Sequence, residues 1–259
     1  MNGDGSIDII VSGSGNPNRV FLNDGTGVFS LYQEFGGTGM KTSVSLGDVD
    51  SDGDLDAFFG VYSSPYNQVW FNDGTGTLTL GPQVFDWKNC WYVELGDMDG
   101  DGDLDAFSGN GGDSDQVIYN DGTGSFTYSS QILPYDGTSG AELGDLDGDG
   151  DLDVFTCQGG TTPNKIWLND GTGYLVDSGN VLGSYYSRAV ALGDLNGDGA
   201  LDAFVANAAQ FSGGDGNRVY LNEVFIPPTE TPTPTLTPTP TLTPTPTNTP
   251  TNTPTMTPY

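Results

Sequence analysis

The 259 residues of the chain carry 35 acidic side chains against six basic ones, for a net charge of −29. Because such a field repels phosphate, the balance excludes nucleic acid as a partner. The absence of histidine excludes Ser-His-Asp and Cys-His catalysis and every imidazole metal site, and no apolar run reaches the roughly 18 residues of a membrane span.

Residues 1–8, Met-Asn-Gly-Asp-Gly-Ser-Ile-Asp, match the last eight places of a nine-residue loop that recurs along the chain. They lack the first place of the loop, the strand before it and any signal peptide. We therefore expect Met1 to be an internal residue or a wrongly assigned start, and the chain to be part of a longer protein. The complete copies of the loop are residues 48–56, 97–105, 145–153 and, more loosely, 194–202.

The loop carries side-chain oxygens at places one, three, five and nine, and glycine at place six. Calcium takes six to eight oxygen ligands, which alternate residues of a tight loop can supply, and glycine permits the positive φ that closes the loop. Place seven is Ala200 in the fourth copy, so this place is expected to contribute its backbone carbonyl. The alternative is a solvated acidic turn. Four copies in register, each with leucine at place eight, argue against it.

Calcium is therefore predicted at four complete sites and one partial site. An EF-hand is excluded because place twelve holds Phe59, Ser108, Thr156 or Val205 where that motif needs glutamate. The predicted metal-site residues are Asp48, Asp50, Asp52, Asp54 and Asp56; Asp97, Asp99, Asp101, Asp103 and Asp105; Asp145, Asp147, Asp149, Asp151 and Asp153; Asp194, Asn196, Asp198, Ala200 and Asp202; and, in the partial loop, Asn2, Asp4, Ser6 and Asp8.

Four short apolar or β-branched runs fill each repeat of 48 or 49 residues. In the second repeat they are residues 42–46, 55–60, 69–72 and 77–80, and the last two flank an Asn-Asp-Gly-Thr-Gly hairpin signal. The period is that of a propeller blade and not that of a nonapeptide β-helix. We predict an all-β fold, a β-propeller of four-stranded antiparallel blades with five repeats, of which the first is incomplete.

Two domains are expected. Residues 1–226 form the propeller, which is expected to be partial. Residues 227–259 are almost all threonine and proline, and they form a disordered, extended linker of roughly 100 Å at ~3.1 Å per residue.

The loop, hairpin and period resemble those of the FG-GAP or VCBS-type repeats of integrin-α-like β-propellers. The resemblance covers residues 1 to about 226, and the absence of the Phe-Gly and Gly-Ala-Pro signatures favours the bacterial VCBS-like branch. Because propellers of that family usually have seven blades, the blade number is left open. The resemblance implies a secreted or cell-surface protein whose Thr-Pro linker joins the propeller to further domains.

Two classes of function are compared. The first is a calcium-stabilised extracellular module for adhesion or for binding a glycan or protein. The alternative is a catalytic or non-catalytic part of a secreted polysaccharide-degrading enzyme, since paired carboxylates are the one catalytic constellation available. The repeated carboxylates already have metal roles, and outside the repeated motifs only Glu94 and Glu142 recur at one place. A non-enzymatic binding role is predicted.

The ligand is predicted to bind on the face opposite the calcium loops, where the connections differ between repeats. Aromatic side chains on variable loops suit sugar stacking or a protein contact, although they can instead turn inward and cap the blades. Whether Cys90 and Cys157 pair is left open. The predicted ligand-binding residues are Tyr62, Tyr66, Trp87, Tyr135, Tyr185, Tyr186 and Phe211.

Overall fold

A computed structural model describes residues 1–37, 39–63, 66–85, 89–134, 137–160, 162–183, 185–208 and 216–222. The side chain of Ser63 is outside this description, and so is the whole predicted linker. Within the described ranges the chain forms β-strands and connecting turns, with no helix, and hence no helix that could span a membrane. Met1–Val224 is one compact unit.

Five antiparallel sheets follow one another along the chain, and in each sheet the strands lie in sequence order. This confirms the predicted four-stranded unit in the second, third and fourth sheets, while the first and fifth sheets have three described strands. The strands are β1 Ile9–Val11, β2 Asn18–Asn23 and β3 Phe29–Phe35; β4 Met40–Gly47, β5 Asp56–Ser63, β6 Gln68–Asn72 and β7 Leu78–Leu80; β8 Cys90–Gly96, β9 Asp105–Asn110, β10 Gln116–Asn120 and β11 Phe126–Tyr128; β12 Thr138–Gly144, β13 Asp153–Gln158, β14 Lys165–Asn169 and β15 Leu175–Asp177; and β16 Ser187–Gly193, β17 Asp202–Asn207 and β18 Arg218–Tyr220.

Each sheet packs face to face on the next, because both faces of its strands carry apolar side chains. Phe58 and Val69 of the second sheet pack with Val93 and Ile118 of the third. Similar clusters join sheets one and two, three and four, and four and five. The opening strands β4, β8, β12 and β16 also contact one another in turn. The repeats therefore form one stack with the opening strands along one side.

At the end of three opening strands, a glycine packs closely against two leucines of the next sheet. A Cβ at Gly96 would lie 2.8 Å from Cδ1 of both Leu143 and Leu152. The same contact occurs at Gly47 and Gly144, whereas a Cβ at Gly193 would meet nothing within 4 Å. These glycines are thus explained by close sheet packing as well as by the turn that follows.

The two outermost faces of the stack expose residue positions that are buried elsewhere. Phe204 of the fifth sheet is 41% exposed, whereas its equivalents Phe58, Phe107 and Phe155 are at most 1% exposed. On the opposite face of the first sheet Phe29 is also 41% exposed. Both outer faces therefore carry side chains of the kind that the other sheets bury. Neither face has a neighbouring sheet in the described part of the chain.

Both cysteines are buried free thiols, and neither forms a disulfide. Burial raises the pKa of Cys90 and of Cys157 to about 12. Cys90 and Cys157 do not pair, because each thiol lies in the core between a different pair of sheets.

Candidate metal centres

The four complete loops share one backbone conformation. The glycine at place six has a φ between 90° and 101° in Gly53, Gly102, Gly150 and Gly199, as predicted. Its N–H donates to the carboxylate at place one, at 2.9–3.1 Å, in the pairs Asp48–Gly53, Asp97–Gly102, Asp145–Gly150 and Asp194–Gly199. The hydrogen bond to the place-one carboxylate therefore holds each loop closed without a bound ion.

Place nine connects the loop to the hairpin of the same repeat. One carboxylate oxygen of Asp105 accepts the N–H of Met98 at 3.0 Å, and the other accepts the N–H of Asn120 at 2.8 Å. The same two bonds recur at Asp8, Asp56, Asp153 and Asp202. Place nine is thus the start of the second strand and the support of the hairpin, besides being a candidate ligand.

Three loops bring carboxylates together. Within each of them, one carboxylate oxygen from each of three residues lies within 4.8 Å of the other two; the groups are Asp48, Asp50 and Asp56; Asp97, Asp99 and Asp101; and Asp145, Asp147 and Asp153. No described lysine or arginine forms an ion pair with the loops at 48–56, 97–105, 145–153 or 194–202. Oxygens at this spacing fit a hard cation. No basic side chain among the described residues offsets the repulsion between these carboxylates.

In these loops, burial and repulsion between like charges disfavour the ionised form of some carboxylates. Burial and the like charges of Asp50 and Asp52 raise the pKa of Asp56 to about 6, although two backbone N–H groups oppose the shift. Burial and the charge of Asp52 also raise the pKa of Asp50. One oxygen of Asp50 is buried without a hydrogen-bond partner among the described residues. An unpartnered buried oxygen beside two other carboxylates suits a cation.

Place seven behaves alike whether it holds aspartate or alanine. Its N–H donates to the place-five carboxylate at 2.9 Å in both Asp103 and Ala200. The Asp103 carboxylate instead lies against Gly122 of the hairpin, where an added Cβ would come within 2.5 Å of it. The structure therefore gives this side chain a position outside the loop centre.

The fourth complete loop and the partial loop contain neutral side chains at place three. The amide nitrogen of Asn196 donates to Asp198 at 2.9 Å, and that of Asn2 donates to Asp4 at 2.9 Å. In the partial loop Ser6 occupies place seven, and its N–H donates to Asp4 at 2.8 Å. The backbone pattern of these loops matches the others, while each has fewer carboxylates.

In each repeat after the first, the asparagine at the end of the third strand bonds the loop of the preceding repeat, a role that the sequence did not predict. The Asn120 amide donates to the carbonyl of Val49, in the aspartate-rich loop of the preceding repeat, at 2.7 Å, and to that of Leu104 in its own loop at 3.2 Å. Its oxygen accepts the N–H of Gly124 at 3.1 Å. The bond to the preceding loop recurs in the pairs Asn72–Met1, Asn169–Met98 and Asn222–Leu146. The sequence feature that could have indicated this role is the presence of asparagine at the same place in all five repeats.

A glutamine makes a second contact between repeats. The side chain of Gln131 accepts the N–H of Leu175 at 2.9 Å and donates to its carbonyl at 2.6 Å. Gln33 and Gln83 make the same paired bonds to Leu78 and Phe126. These amides join each of the first three repeats to the outer strand of the next sheet.

The predicted ligand-binding aromatics have varied surroundings. Tyr66 is exposed, and Tyr62 packs edge-on against Trp91 with ring centroids 5.2 Å apart. Tyr185 lies under Arg218 and Tyr186 lies under Arg188. Trp87, Tyr135 and Phe211 lie outside the described residues.

Comparison with known proteins identifies the repeat. A model of the FG-GAP-like repeat matches four times in tandem, over residues 1–59, 48–108, 97–156 and 145–205. The chain therefore belongs to the FG-GAP-like repeat family, which confirms the resemblance seen in the sequence.

Among solved structures, the V. cholerae biofilm matrix protein Bap1 is similar with a TM-score of 0.46 and 19% identity. The match covers 80% of this chain and 33% of Bap1, so the chain spans about a third of that protein. No curated protein matches the chain.

Proposed function

We propose that the loops bind calcium and that bound calcium stabilises an extracellular ligand-binding or adhesion module. The observation that carries the proposal is the convergence of three carboxylates in each of three loops with no basic partner among the described residues. Extracellular calcium sites have dissociation constants of about 10⁻⁴ to 10⁻³ M, so millimolar calcium outside cells would largely fill them.

The proposed ligands at each complete site are the side chains at places one, three, five and nine and the carbonyl at place seven. This set puts the neutral Asn196 and the carbonyl of Ala200 in the fourth site. The partial loop supplies Asn2, Asp4, Ser6 and Asp8 to a weaker fifth site, because place one is missing.

Calcium titration by calorimetry tests this assignment. We expect four binding events from the complete loops and a weaker fifth. Substituting asparagine at place one, in Asp48, Asp97, Asp145 and Asp194, removes a ligand charge from every complete site and retains one of the two oxygens that accept loop N–H groups. This variant should lose most calcium binding. The control substitutes asparagine at place seven, in Asp54, Asp103 and Asp151, and should bind calcium nearly as the unmodified chain does. Equal losses in the two variants would contradict the ligand set.

The five sheets are further proposed to be consecutive blades of a β-propeller. Contacts between successive opening strands and face-to-face packing of successive sheets support this arrangement. The exposed apolar faces of the first and fifth sheets indicate an incomplete ring, and we expect them to drive association of the isolated chain. Light scattering should therefore show oligomers, and a compact monomer would instead favour closure of five blades.

The module is proposed to bind its ligand at the end opposite the calcium loops, and not to be an enzyme. The connections there differ between repeats, while the loops and hairpins at the calcium end are nearly invariant. Extracellular glycans and cell-surface proteins are the proposed partners, and residues 227–259 would be the linker to further domains. A glycan array and a polysaccharide degradation panel distinguish the alternatives: retention without cleavage supports the module, and chain cleavage supports the enzyme.

A further inference from the structure

A cleft of about 400 Å³ opens where the third, fourth and fifth sheets meet, at the end opposite the calcium loops. Its walls come from the beginnings of β8, β12 and β16 and from the residues that follow β9 and β13. Trp91, Ser139, Thr162, Tyr186 and Arg188 are among the lining side chains, and most of the remaining wall is glycine backbone. None of the loop carboxylates lines it.

The charge of the cleft is opposite to that of the chain. Arg188 is the only charged residue among those described in its lining, although the net charge of the chain is −29. The guanidinium carbon of Arg188 lies 4.5 Å from the ring centroid of Tyr186, and Arg188 forms no ion pair in the described part of the chain. A guanidinium held by a ring and lacking an anion is suited to a ligand carboxylate.

Trp91 is held in a defined position in the same cleft. Its ring packs edge-on against Tyr62, and its Nε1 lies against Gly111, where there is no room for a Cβ. The indole N–H is buried and has no acceptor among the described residues. Trp91 therefore presents a fixed aromatic ring, which suits contact with the face of a sugar ring.

Hydroxyl groups and bare backbone complete the lining. Ser139 donates to the carbonyl of Ser187 at 2.7 Å, so its oxygen keeps lone pairs for a ligand hydroxyl. Gly111, Gly137 and Gly159 leave the main chain accessible beside it. The described lining contains no aliphatic side chain of the kind that forms pockets for alternate residues of an extended peptide, which favours a sugar over a peptide.

We infer that this cleft binds an acidic sugar, with the uronate carboxylate on Arg188 and the sugar ring beside Trp91. The inference rests on the proposed ligand-binding function and specifies its ligand class. An acidic peptide of glutamate residues could supply the same carboxylate but has no ring to lie beside Trp91.

Calorimetry with trigalacturonic acid, in buffer with a fixed millimolar calcium concentration, tests the inference on the full chain. We expect saturable binding, and Arg188→Gln should weaken it by about tenfold or more, as expected for loss of a hydrogen-bonded ion pair. Trp91→Phe should weaken it less, because a smaller aromatic ring remains where the indole was. Arg218→Gln is the matched control, since Arg218 also lies 4.5 Å from a tyrosine ring but does not line the cleft.

Two further ligands and one further variant complete the design. Neutral galactotriose should bind at least about tenfold more weakly than the acidic trimer, and a hexaglutamate peptide should not compete with that trimer. If Arg188→Gln fails to fold, as judged by its melting curve in calcium, Arg188→Lys keeps the charge without the planar fork and should bind with intermediate affinity. Absence of trigalacturonate binding, equal effects of Arg188→Gln and Arg218→Gln, or equal binding of the peptide would overturn the inference.

The same samples distinguish this failure from failure of the proposed calcium sites. A calcium-dependent rise in melting temperature without sugar binding rejects only the acidic-sugar cleft. No calcium response rejects the metal assignment, whatever the sugar does.

Discussion

The side-chain amide of Asn120 donates to the carbonyl of Val49 at 2.7 Å, linking a hairpin to the aspartate-rich loop of the preceding repeat. The backbone N–H of Asn120 also donates to Asp105, the last residue of the aspartate-rich loop in its own repeat. One residue thus bridges two candidate metal sites, and it does so through groups that are buried. Order in one loop is thereby linked to order in the next.

Loss of this bridge should destabilise the stack. Asn120→Ala removes the bonds to Val49 and Leu104 and leaves buried carbonyls unpaired, so we expect a loss of about 1–3 kcal/mol or more in the free energy of unfolding. Urea unfolding in calcium measures it. Asn23→Ala is the control, because Asn23 is half-buried and its amide nitrogen bonds only its own loop, at Ile7, through an exposed hydrogen bond. If Asn120→Ala lowers the free energy of unfolding no more than Asn23→Ala does, the hydrogen bond between repeats contributes nothing to stability.

Close packing between sheets predicts a second contrast. Gly96→Ala places a methyl group 2.8 Å from two leucine carbons, and overpacking of this kind costs about 1–3 kcal/mol. Gly193→Ala places its methyl group in open space and should be nearly neutral. Melting temperatures of the two variants in calcium test the contrast. Equal losses would mean that the close approach of the leucines to Gly96 is wrong.

Ligand roles within one loop predict a third contrast. Asp97→Ala removes a proposed ligand, whereas Asp103→Ala removes a side chain that lies against Gly122. At ~1 mM calcium, a site with a dissociation constant of about 10⁻⁴ M contributes roughly 1.4 kcal/mol. The difference between melting temperatures in calcium and in EGTA should therefore shrink for Asp97→Ala and not for Asp103→Ala. The reverse order would reassign the ligands at places one and seven.

The half-buried Glu94 predicts a dependence on pH. Burial raises its pKa, the charge of Glu142 adds to the shift, and the Tyr92 hydroxyl, which donates at 3.0 Å, opposes it. A carboxyl whose pKa is higher in the folded state contributes stability below its unfolded pKa and loses it as the pH rises through the folded value. Glu94→Gln should therefore raise the melting temperature at pH 8 and change it little at pH 4.

Glu34 provides the matched comparison. This exposed carboxylate pairs with Arg19 at 2.8 Å, so Glu34→Gln should give no gain at pH 8. A gain at Glu34 equal to that at Glu94, or no gain at Glu94, would contradict a destabilising buried charge.

Features set by local sequence could be predicted, and contacts between repeats could not. The Gly53 turn, the strand after Asp56 and the hairpin after Asn72 follow from residue type and spacing, and the structure contains all three. The Asn120 bridge spans 71 residues and the Gln131 bond spans 44, so no local pattern indicates their partners. Trp91 and Arg188 were missed for a similar reason, because their cleft is formed by three different sheets.

Thermal unfolding of the chain in ~1 mM calcium and in EGTA tests the central claim most directly. Four complete sites with dissociation constants of about 10⁻⁴ M together contribute roughly 5–6 kcal/mol, which corresponds to a rise of roughly 10–20 °C in melting temperature. Magnesium at the same concentration should give a much smaller rise, because it retains its waters and demands stricter octahedral geometry. Superimposable melting curves in calcium and in EGTA would contradict calcium stabilisation by the repeated loops.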